Sequence, residues 1–481
     1  LLTSLISGWL FFCLTDHFHY FNDFLYPLIK WLKNILLNSI FLLCELYLPF
    51  CLLKKAKPKI YLTNLFVMIR NFLMLVSIII LMTASLRAQT IAQFRGLNRD
   101  GVYAEKNLLT PWPADGPALL WSNNEVGNGY GPPAVTSDRV YITGETDSTS
   151  YLFAFDRQGK LLWKTDCGPE WVVSYPGSRS TPTVVGKLIY VCSGKGNLVC
   201  LNAADGKKVW SVDMIKDLHG RYTLFGQAES PLVVDDQVFL SPGGADTNVV
   251  ALNRFNGKIN WICKAHGDLP GYNSPILVKL PSVNILVTFS AYHLLGIDAK
   301  TGKMLWSHEQ VNVPPAERKP GMGDTHSNSA FYDNGYLYYV AGDNNCGTKL
   351  KLSDDGKQIT QVWNNRAVDN FMGGFIKIDN RIYTGSDSRR MLICADANTG
   401  QITDSLKIGT GSLALADNML YYYNQRGEMN LVNPTPAKLE LVSKFKITAG
   451  TKEHFSHPVI NDGVLFIRRG KALMAYDIRK K

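Results

Sequence analysis

A chain of 481 residues with 19% charged residues, 11% aromatics, 40 glycines and 22 prolines has the composition of a turn-rich globular protein and excludes a disordered one. The formal net charge of +10 invites a nucleic-acid or membrane reading until the charges are placed along the chain. Residues 1–88 hold eight Lys/Arg against three Asp/Glu, and the remaining 42 against 37 are spread without a basic stripe or an arginine-rich run, which argues against nucleic acid as a partner.

Residues 1–67 begin with Leu, contain neither Met nor Arg, and are rich in Leu, Phe, Ile, Tyr, Asn and Lys, the residues that AT-rich codons supply. An export signal belongs at an N-terminus and Met68 is the first methionine, so the expectation for 1–67 is translated upstream sequence. One or two membrane helices, for example around Ile35 to Leu53, are the competing reading. From Met68 the string MIRNFLMLVSIIILMTASLRAQT has a basic start at Arg70, an apolar stretch from Phe72 to Met82 and small residues before Gln89. It reads as a signal peptide over 68–88 cleaved after Ala88, which places the protein in the periplasm or outside the cell. An uncleaved helix anchoring it to the membrane is the alternative, because Leu86 is a poor residue at the minus-three position. Residues 89–118 form an N-terminal leader.

Beyond the leader one short pattern recurs. It reads AFDRQGKLLW ending at Trp163, CLNAADGKKVW at Trp210, ALNRFNGKINW at Trp261 and GIDAKTGKMLW at Trp306, with Gly159, Gly206, Gly257 and Gly302 each four residues before the tryptophan. KLKLSDDGKQITQVW carries Gly356 and Trp363, and CADANTGQITDSL keeps Asp396 and Gly400 without a tryptophan. Each copy is a strand, a tight turn with a glycine able to take positive φ, and a second strand. Two further strand-like runs precede each copy, such as STPTVVG and KLIYVCSG, and four strands in roughly 45 residues is the arithmetic of a propeller blade. Third strands fall near Asp156, Asn202, Asn253, Asp298, Leu352, Asp396, Val432 and Asp477, and fourth strands at Trp121, Trp163, Trp210, Trp261, Trp306, Trp363, Leu406 and Lys444. The expected fold is all-β, an eight-bladed propeller over 119–481. The strand around Trp121 should close the ring in the last blade, whose own sequence holds only three strands. The repeat tryptophans are expected to fill the wedges between blades, each N–H on a neighbouring carbonyl.

The AxDxxTGKxxW repeats resemble those of the pyrroloquinoline-quinone (PQQ)-like propellers, a group that includes quinoprotein alcohol dehydrogenases and BamB-type outer-membrane assembly lipoproteins. FRGLNRDGVYAE, followed by TPWPADGPALLW, is similar to the leader of secreted members from environmental bacteria. The resemblance is specific for fold and weak for activity, because one fold hosts many functions.

In a propeller the residues just before the innermost strands converge at one mouth of the central channel. Here these are Ser178-Arg179-Ser180, Gln227 with Glu229, Tyr272-Asn273, Asp324-Thr325-His326, Asp369-Asn370, and Glu453-His454 with His457. They are the candidate site for a small molecule or protein partner. The dehydrogenase resemblance implies Ca²⁺ on Glu229, Asn273 and Asp324, with Asp324 as base, Arg179 against the quinone, and Asp369 and His326 completing a cofactor pocket. No adjacent cysteine pair and no CxxCH haem motif accompany them. His454 and His457 beside Glu453, with His326 on another blade, offer a transition-metal alternative. Cys192 and Cys200 flank one hairpin and are the candidates for a disulfide, while Cys200 and Cys394 occupy the small apolar slot of the repeat as buried thiols would. GNGYG at 127–131 lacks the following helix of a dinucleotide site.

Three functions follow: an exported ligand- or protein-binding propeller whose catalysis is unproven, a PQQ/Ca²⁺ alcohol dehydrogenase-like oxidoreductase, and a BamB-like assembly scaffold. Leu86-Arg87-Ala88-Gln89 has no lipobox cysteine to support the last.

Overall fold

The computed structural model divides the chain into two units, Leu1–Ala88 and Gln89–Lys481. It describes Asn71 and residues 90–480 except 311–313, 320 and 344. The expected upstream segment, the signal peptide and the alternative membrane helices lie outside the described residues. No helix among the described residues is long and apolar enough to cross a membrane.

The second unit is an eight-bladed β-propeller. Blades 1 to 7 have innermost strands Ala134–Val135, Thr183–Val185, Leu232–Val234, Ile276–Lys279, Phe331–Asp333, Phe375–Ile378 and Gly411–Ala416, each followed by three more antiparallel strands. Blade 8 has Val459–Asn461, Val464–Arg469 and Ala472–Asp477, and its outermost strand is Ala118–Asn123, paired from Ala118↔Asp477 to Asn123↔Leu473. The ring closes as its repeat pattern required, and no blade is left three-stranded with an open edge.

The core lies between blades. Blades 8 and 1, for instance, meet through Val140, Ile142 and Phe153 against Phe466, Leu473 and Ala475. Across strands two, three and four runs a repeated row of aromatic, small residue and tryptophan: Tyr141–Ala154–Trp163, Tyr190–Cys200–Trp210, Phe239–Ala251–Trp261 and Phe466–Ala475–Trp121. Strands three and four slip register at the residue just before the tryptophan, a bulge that bends strand four where the indole leaves it.

There it lies on the turn glycine. A Cβ on Gly159, Gly206, Gly257, Gly302 or Gly400 would strike the ring of Trp121, Trp163, Trp210, Trp261 or Trp363 respectively. The repeat glycine thus serves both a positive-φ turn and an interblade contact. Trp121, Trp210, Trp261 and Trp363 donate Nε1–H to the carbonyls of Arg157, Arg254, Ala299 and Ala397 in the next blade. Trp163 and Trp306 make no such bond, and Trp306 folds over Gly296 of its own blade.

Blade 7 carries Ser443, and blade 6 Asp404, where the other blades have tryptophan, the blade 7 row being Tyr421–Leu431–Ser443. The leader supplies the missing ring. Trp112 donates its backbone N–H to Ser443 Oγ at 3.1 Å and packs 5.6 Å from Tyr421 at 53°, close to the 6.1 Å and 50° of Trp210 on Tyr190. The propeller's cysteines are buried, and Cys192 and Cys200 form no disulfide with each other.

Candidate functional site

Before it reaches Trp112 the leader passes through the central channel. Ile91–Ala92 pair antiparallel with Val185 and Val184 of the innermost strand of blade 2, and Val102–Tyr103 pair parallel with Leu415 and Ala416 of blade 7. The chain therefore climbs from the far face toward the mouth, turns through Phe94–Gly101, and descends again. Between those runs Arg99 donates to the carbonyls of Ser230 and Pro231 in blade 3, at 2.6 and 3.1 Å. Blades 3 and 7 stand opposite each other in a ring of eight, so the segment crosses the axis.

Two buried guanidiniums hold it there. Arg95 donates to Phe375 O at 2.6 Å, to Leu413 O at 3.5 Å and to His457 Nδ1 at 3.2 Å, joining blades 6, 7 and 8. Burial lowers the pKa of both arginines, Arg99 to about 10, and carbonyl acceptors take the place of carboxylate partners. Only the tip of the turn is open to solvent, with Leu97 65% exposed.

The mouth candidates are mostly tied to their own blades. Glu229 is buried and accepts from Ser241 N–H at 2.8 Å, while its other oxygen has no partner. Burial pushes its carboxyl up to about 8, against the pull of the Ser241 N–H and of Arg99. Asn273 Oδ1 accepts from Phe289 N–H at 3.2 Å, and Asp324 Oδ1 accepts from Gly321 N–H at 3.0 Å. Burial raises the Asp324 carboxyl above its usual range. His326 bonds Ala291 O through Nε2, stacks on Phe289 with ring centroids 4.5 Å apart, and is held neutral by burial with a pKa of about 4. Asp369 takes Ser386 Oγ, Ser388 Oγ and Ser388 N–H.

The two other histidines diverge. His454 Nδ1 meets Tyr423 OH, whereas His457 faces Arg95 on one side and bonds Met372 O through Nε2 at 3.0 Å. No group of three His, Cys, Asp or Glu able to hold a metal ion occurs among the described residues.

Arg179 serves a loop. It donates to the carbonyls of Ser174, Tyr175 and Gly177, each at 2.8 Å, and so fixes Tyr175 at φ +46° with its ring half exposed. That ring belongs to an arc around the mouth: Tyr130 to Phe455 at 5.7 Å, Phe455 to Tyr175 at 6.4 Å, Tyr175 to Phe225 at 6.2 Å and Phe225 to Tyr272 at 5.7 Å. Val173, Tyr222 and Leu224 stand exposed beside it.

GNGYG shapes one end of the arc. Fully buried Arg468 donates to the carbonyls of Gly127, Gly131 and Thr143, and a side chain on Gly129 would collide with its guanidinium. The loop is thereby drawn in, and Tyr130 OH reaches Glu453 at 2.9 Å.

The family model described as outer membrane protein assembly factor BamB, a PQQ-like repeat model, matches residues 148–406, more than half of the chain. The chain belongs to this PQQ-like β-propeller family. Curated relatives carry different activities. The 1-butanol dehydrogenase (cytochrome c) of Thauera butanivorans is 31% identical over 192 residues, 38% of this chain and 26% of that protein. The BamB of Shewanella oneidensis is 24% identical over 179 residues, 36% of this chain and 41% of that protein. The chain thus spans less than half the length of these relatives.

Among solved structures, BamB from Moraxella catarrhalis aligns with a TM-score of 0.53 at 10% identity, covering 75% of this chain and 100% of that one. Quinohemoprotein alcohol dehydrogenase from Comamonas testosteroni gives 0.54 at 12%, covering 80% and 79%. At such identities the family propeller is what is shared.

Arg95, Arg99, Tyr175, Phe225 and Phe455 are not among the candidate residues that the sequence offers. FRGLNRDG does carry a signal, two arginines four apart, each followed within two residues by a glycine, but nothing in a linear pattern says that such a turn enters a channel.

Proposed function

We propose that this PQQ-like propeller is an exported, non-catalytic binding protein that holds a protein partner at the mouth of its channel. The observation that carries this reading is the leader turn across the axis, capped by exposed Leu97 and ringed by Tyr175, Phe225 and Phe455. It leaves a floor and an aromatic rim in place of an open shaft. Exposed Tyr175, held by the Arg179 hydrogen bonds to its loop and flanked by half-buried Phe225 and Phe455, supplies contact area at little cost in side-chain entropy, as interface anchors do. Membership of a family described by an outer-membrane assembly factor supports a partner that is itself a polypeptide. Titrating the purified protein with fluorescent peptides rich in aromatic and aliphatic residues tests the reading. Saturable binding that Tyr175→Ser and Leu224→Ser each weaken tenfold or more supports it, and binding indifferent to both substitutions overturns it.

PQQ with Ca²⁺, the cofactor pair that the dehydrogenase resemblance implies, does not fit these residues. One Glu229 oxygen and the Asn273 oxygen each hold a backbone N–H of their own blade, and the charge beside Glu229 is the Arg99 guanidinium. A calcium site needs six to eight oxygens converging on one point. Calorimetric titration with PQQ, with and without Ca²⁺, checks this: heat release together with a raised melting temperature would restore the oxidoreductase reading.

A further inference from the structure

The mouth face is made by the connections between blades and by the hairpins between strands two and three, and these loops do not share their charges evenly. On blades 6 and 7 they carry Arg389, Arg390, Lys407, Arg426 and Lys452, all exposed. Their only acids are Asp387 and Glu453, which already accept from hydroxyls of the chain, Thr410 Oγ1 at 2.8 Å and Tyr130 OH at 2.9 Å. The ion pairs of these blades engage other side chains, Lys377 with Asp333, Lys438 with Glu440 and Lys444 with Glu428, and none reaches Arg389, Arg390, Lys407 or Arg426 among the described residues. Blades 1 to 5 mix both signs on the same face, with Asp147, Asp217, Asp246 and Glu317 exposed among lysines and arginines.

The basic loops form one surface. Asp369 pins the hairpin of Arg389 and Arg390 by taking Ser386 Oγ, Ser388 Oγ and Ser388 N–H, and Ser386 Oγ accepts from Arg389 N–H at 3.3 Å. Asp387 joins that hairpin to Thr410 in the connection that carries Lys407, and a Cβ on Gly409 there would stand 3.5 Å from Arg426 Nε. Lys446 Nζ donates to Arg426 O, and Gly427 packs on the His454 ring. From the same connection Lys452 Nζ donates at 3.0 Å to the carbonyl of Pro176, the residue after Tyr175, and Phe455 lies 6.4 Å from the Tyr175 ring. The basic sector thus runs without a break into the aromatic arc.

We propose that the mouth takes an acidic segment of a polypeptide, with its apolar side chains on the aromatic arc and its carboxylates over blades 7 and 6. This rests on the reading of the mouth as a protein-binding site and names the chemistry of the partner. Cations left without counterions repel one another, and a partner's carboxylates relieve that repulsion, steer the encounter and fix the direction in which the segment lies. Arg389, Arg390 and Arg426 suit carboxylates in particular, because a guanidinium holds both oxygens at once. A membrane surface is anionic too, but it is broad, and laid over the mouth it would meet the carboxylates of blades 1 to 5. A nucleic acid brings no aliphatic group to exposed Leu97, Val173 and Leu224. A single chain lying along one sector satisfies both the cations and the apolar arc.

Fluorescence anisotropy of the whole protein with labelled peptides separates anchor from charge. Each peptide carries the same Phe-Leu-Tyr anchor, followed by a run of glutamates, serines or lysines. The glutamate peptide is expected to bind about tenfold more tightly than the serine peptide, with the lysine peptide weakest, and added salt should shrink the difference. Arg389→Ser combined with Arg390→Asn should remove most of that preference, asparagine being able to keep the φ of +54° at residue 390, and Arg426→Ser should remove part of it. Equal binding of the three peptides, each weakened by Tyr175→Ser, would overturn the charge pairing while the mouth stands as a binding site. Binding of none overturns both. Phosphatidylglycerol vesicles or single-stranded RNA that bind as tightly as the glutamate peptide, and lose affinity in the same arginine variants, would overturn the polypeptide in favour of that anion.

Discussion

Arg95 Nη1 lies 3.2 Å from His457 Nδ1, and this bond ties the leader to the last blade inside the channel. Because Nε2 of the same ring bonds Met372 O, the imidazole must be neutral with its proton on Nε2, donating there and accepting from the guanidinium at Nδ1. Burial first, and Arg95 second, lower the His457 pKa to about 3.

Acid should therefore loosen the protein. Between about 3 and the unfolded value near 6.5 the folded chain binds fewer protons at His457 than the unfolded chain, so stability present above that window is lost as pH falls through it. His326 and His454, both lowered to about 4, act in the same direction. Glu229 acts oppositely. Its folded pKa of about 8 exceeds the unfolded value, so its contribution is full in acid and fades as pH rises through 8. Melting temperatures from pH 4 to 9 should show His457→Gln flattening the acid limb and Glu229→Gln flattening the alkaline one.

Removing the guanidinium that ties the leader to blades 6, 7 and 8 should cost more than an exposed arginine would. Arg95→Met leaves the carbonyls of Phe375 and Leu413 without their donor, and a loss of about 2–4 kcal/mol in urea unfolding is expected. Arg95→Lys should recover only a small part, since an ammonium lacks the planar fork that reaches four acceptors in different directions.

Trp112→Ala should behave as a core mutation although the residue lies in the leader. It is 4% exposed and opens the wedge between blades 7 and 8, so a loss of about 3–5 kcal/mol is expected, comparable to Trp210→Ala. Similar losses for the two would confirm that the leader's ring replaces a repeat tryptophan. A loss under about 1 kcal/mol for Trp112→Ala alone would refute it.

Gly129→Ala should destabilise the mouth without touching the rest of the ring. The added methyl meets the Arg468 guanidinium, which is fully buried and bonded to four carbonyls. Peptide binding at the mouth is expected to fall together with the melting temperature, because Tyr130 is displaced from Glu453.

The blades were legible because glycine and tryptophan four residues apart recur wherever a tight turn must meet an indole. Ring closure by the Trp121 strand followed from a simple deficit, one strand short at the end and one too many at the start. The leader's path was not legible, since two-residue strands such as Ile91–Ala92 and Val102–Tyr103 have no periodicity to detect. Trp112 lies outside the repeat spacing, and only the missing ring at Ser443 gives it meaning. Polar loop residues such as Glu229, Asn273 and Asp369 were recognisable as lying before inner strands. Whether each turns toward the axis or back onto its own blade is a matter of rotamer, which sequence does not encode.

The pairing of Ala118–Asn123 with Ala472–Asp477 has a kinetic consequence. The first strand of the ring waits, without a partner, until the last has been made, across the 348 residues between Asn123 and Ala472. The leader waits too, for blades 2, 3, 6, 7 and 8 to surround it. Closure of so long a loop is slow but sets both ends at once, so the final step of folding joins the seam and fills the shaft together. Local opening should begin at that same seam, where two distant stretches of chain are held by one sheet edge and two guanidiniums.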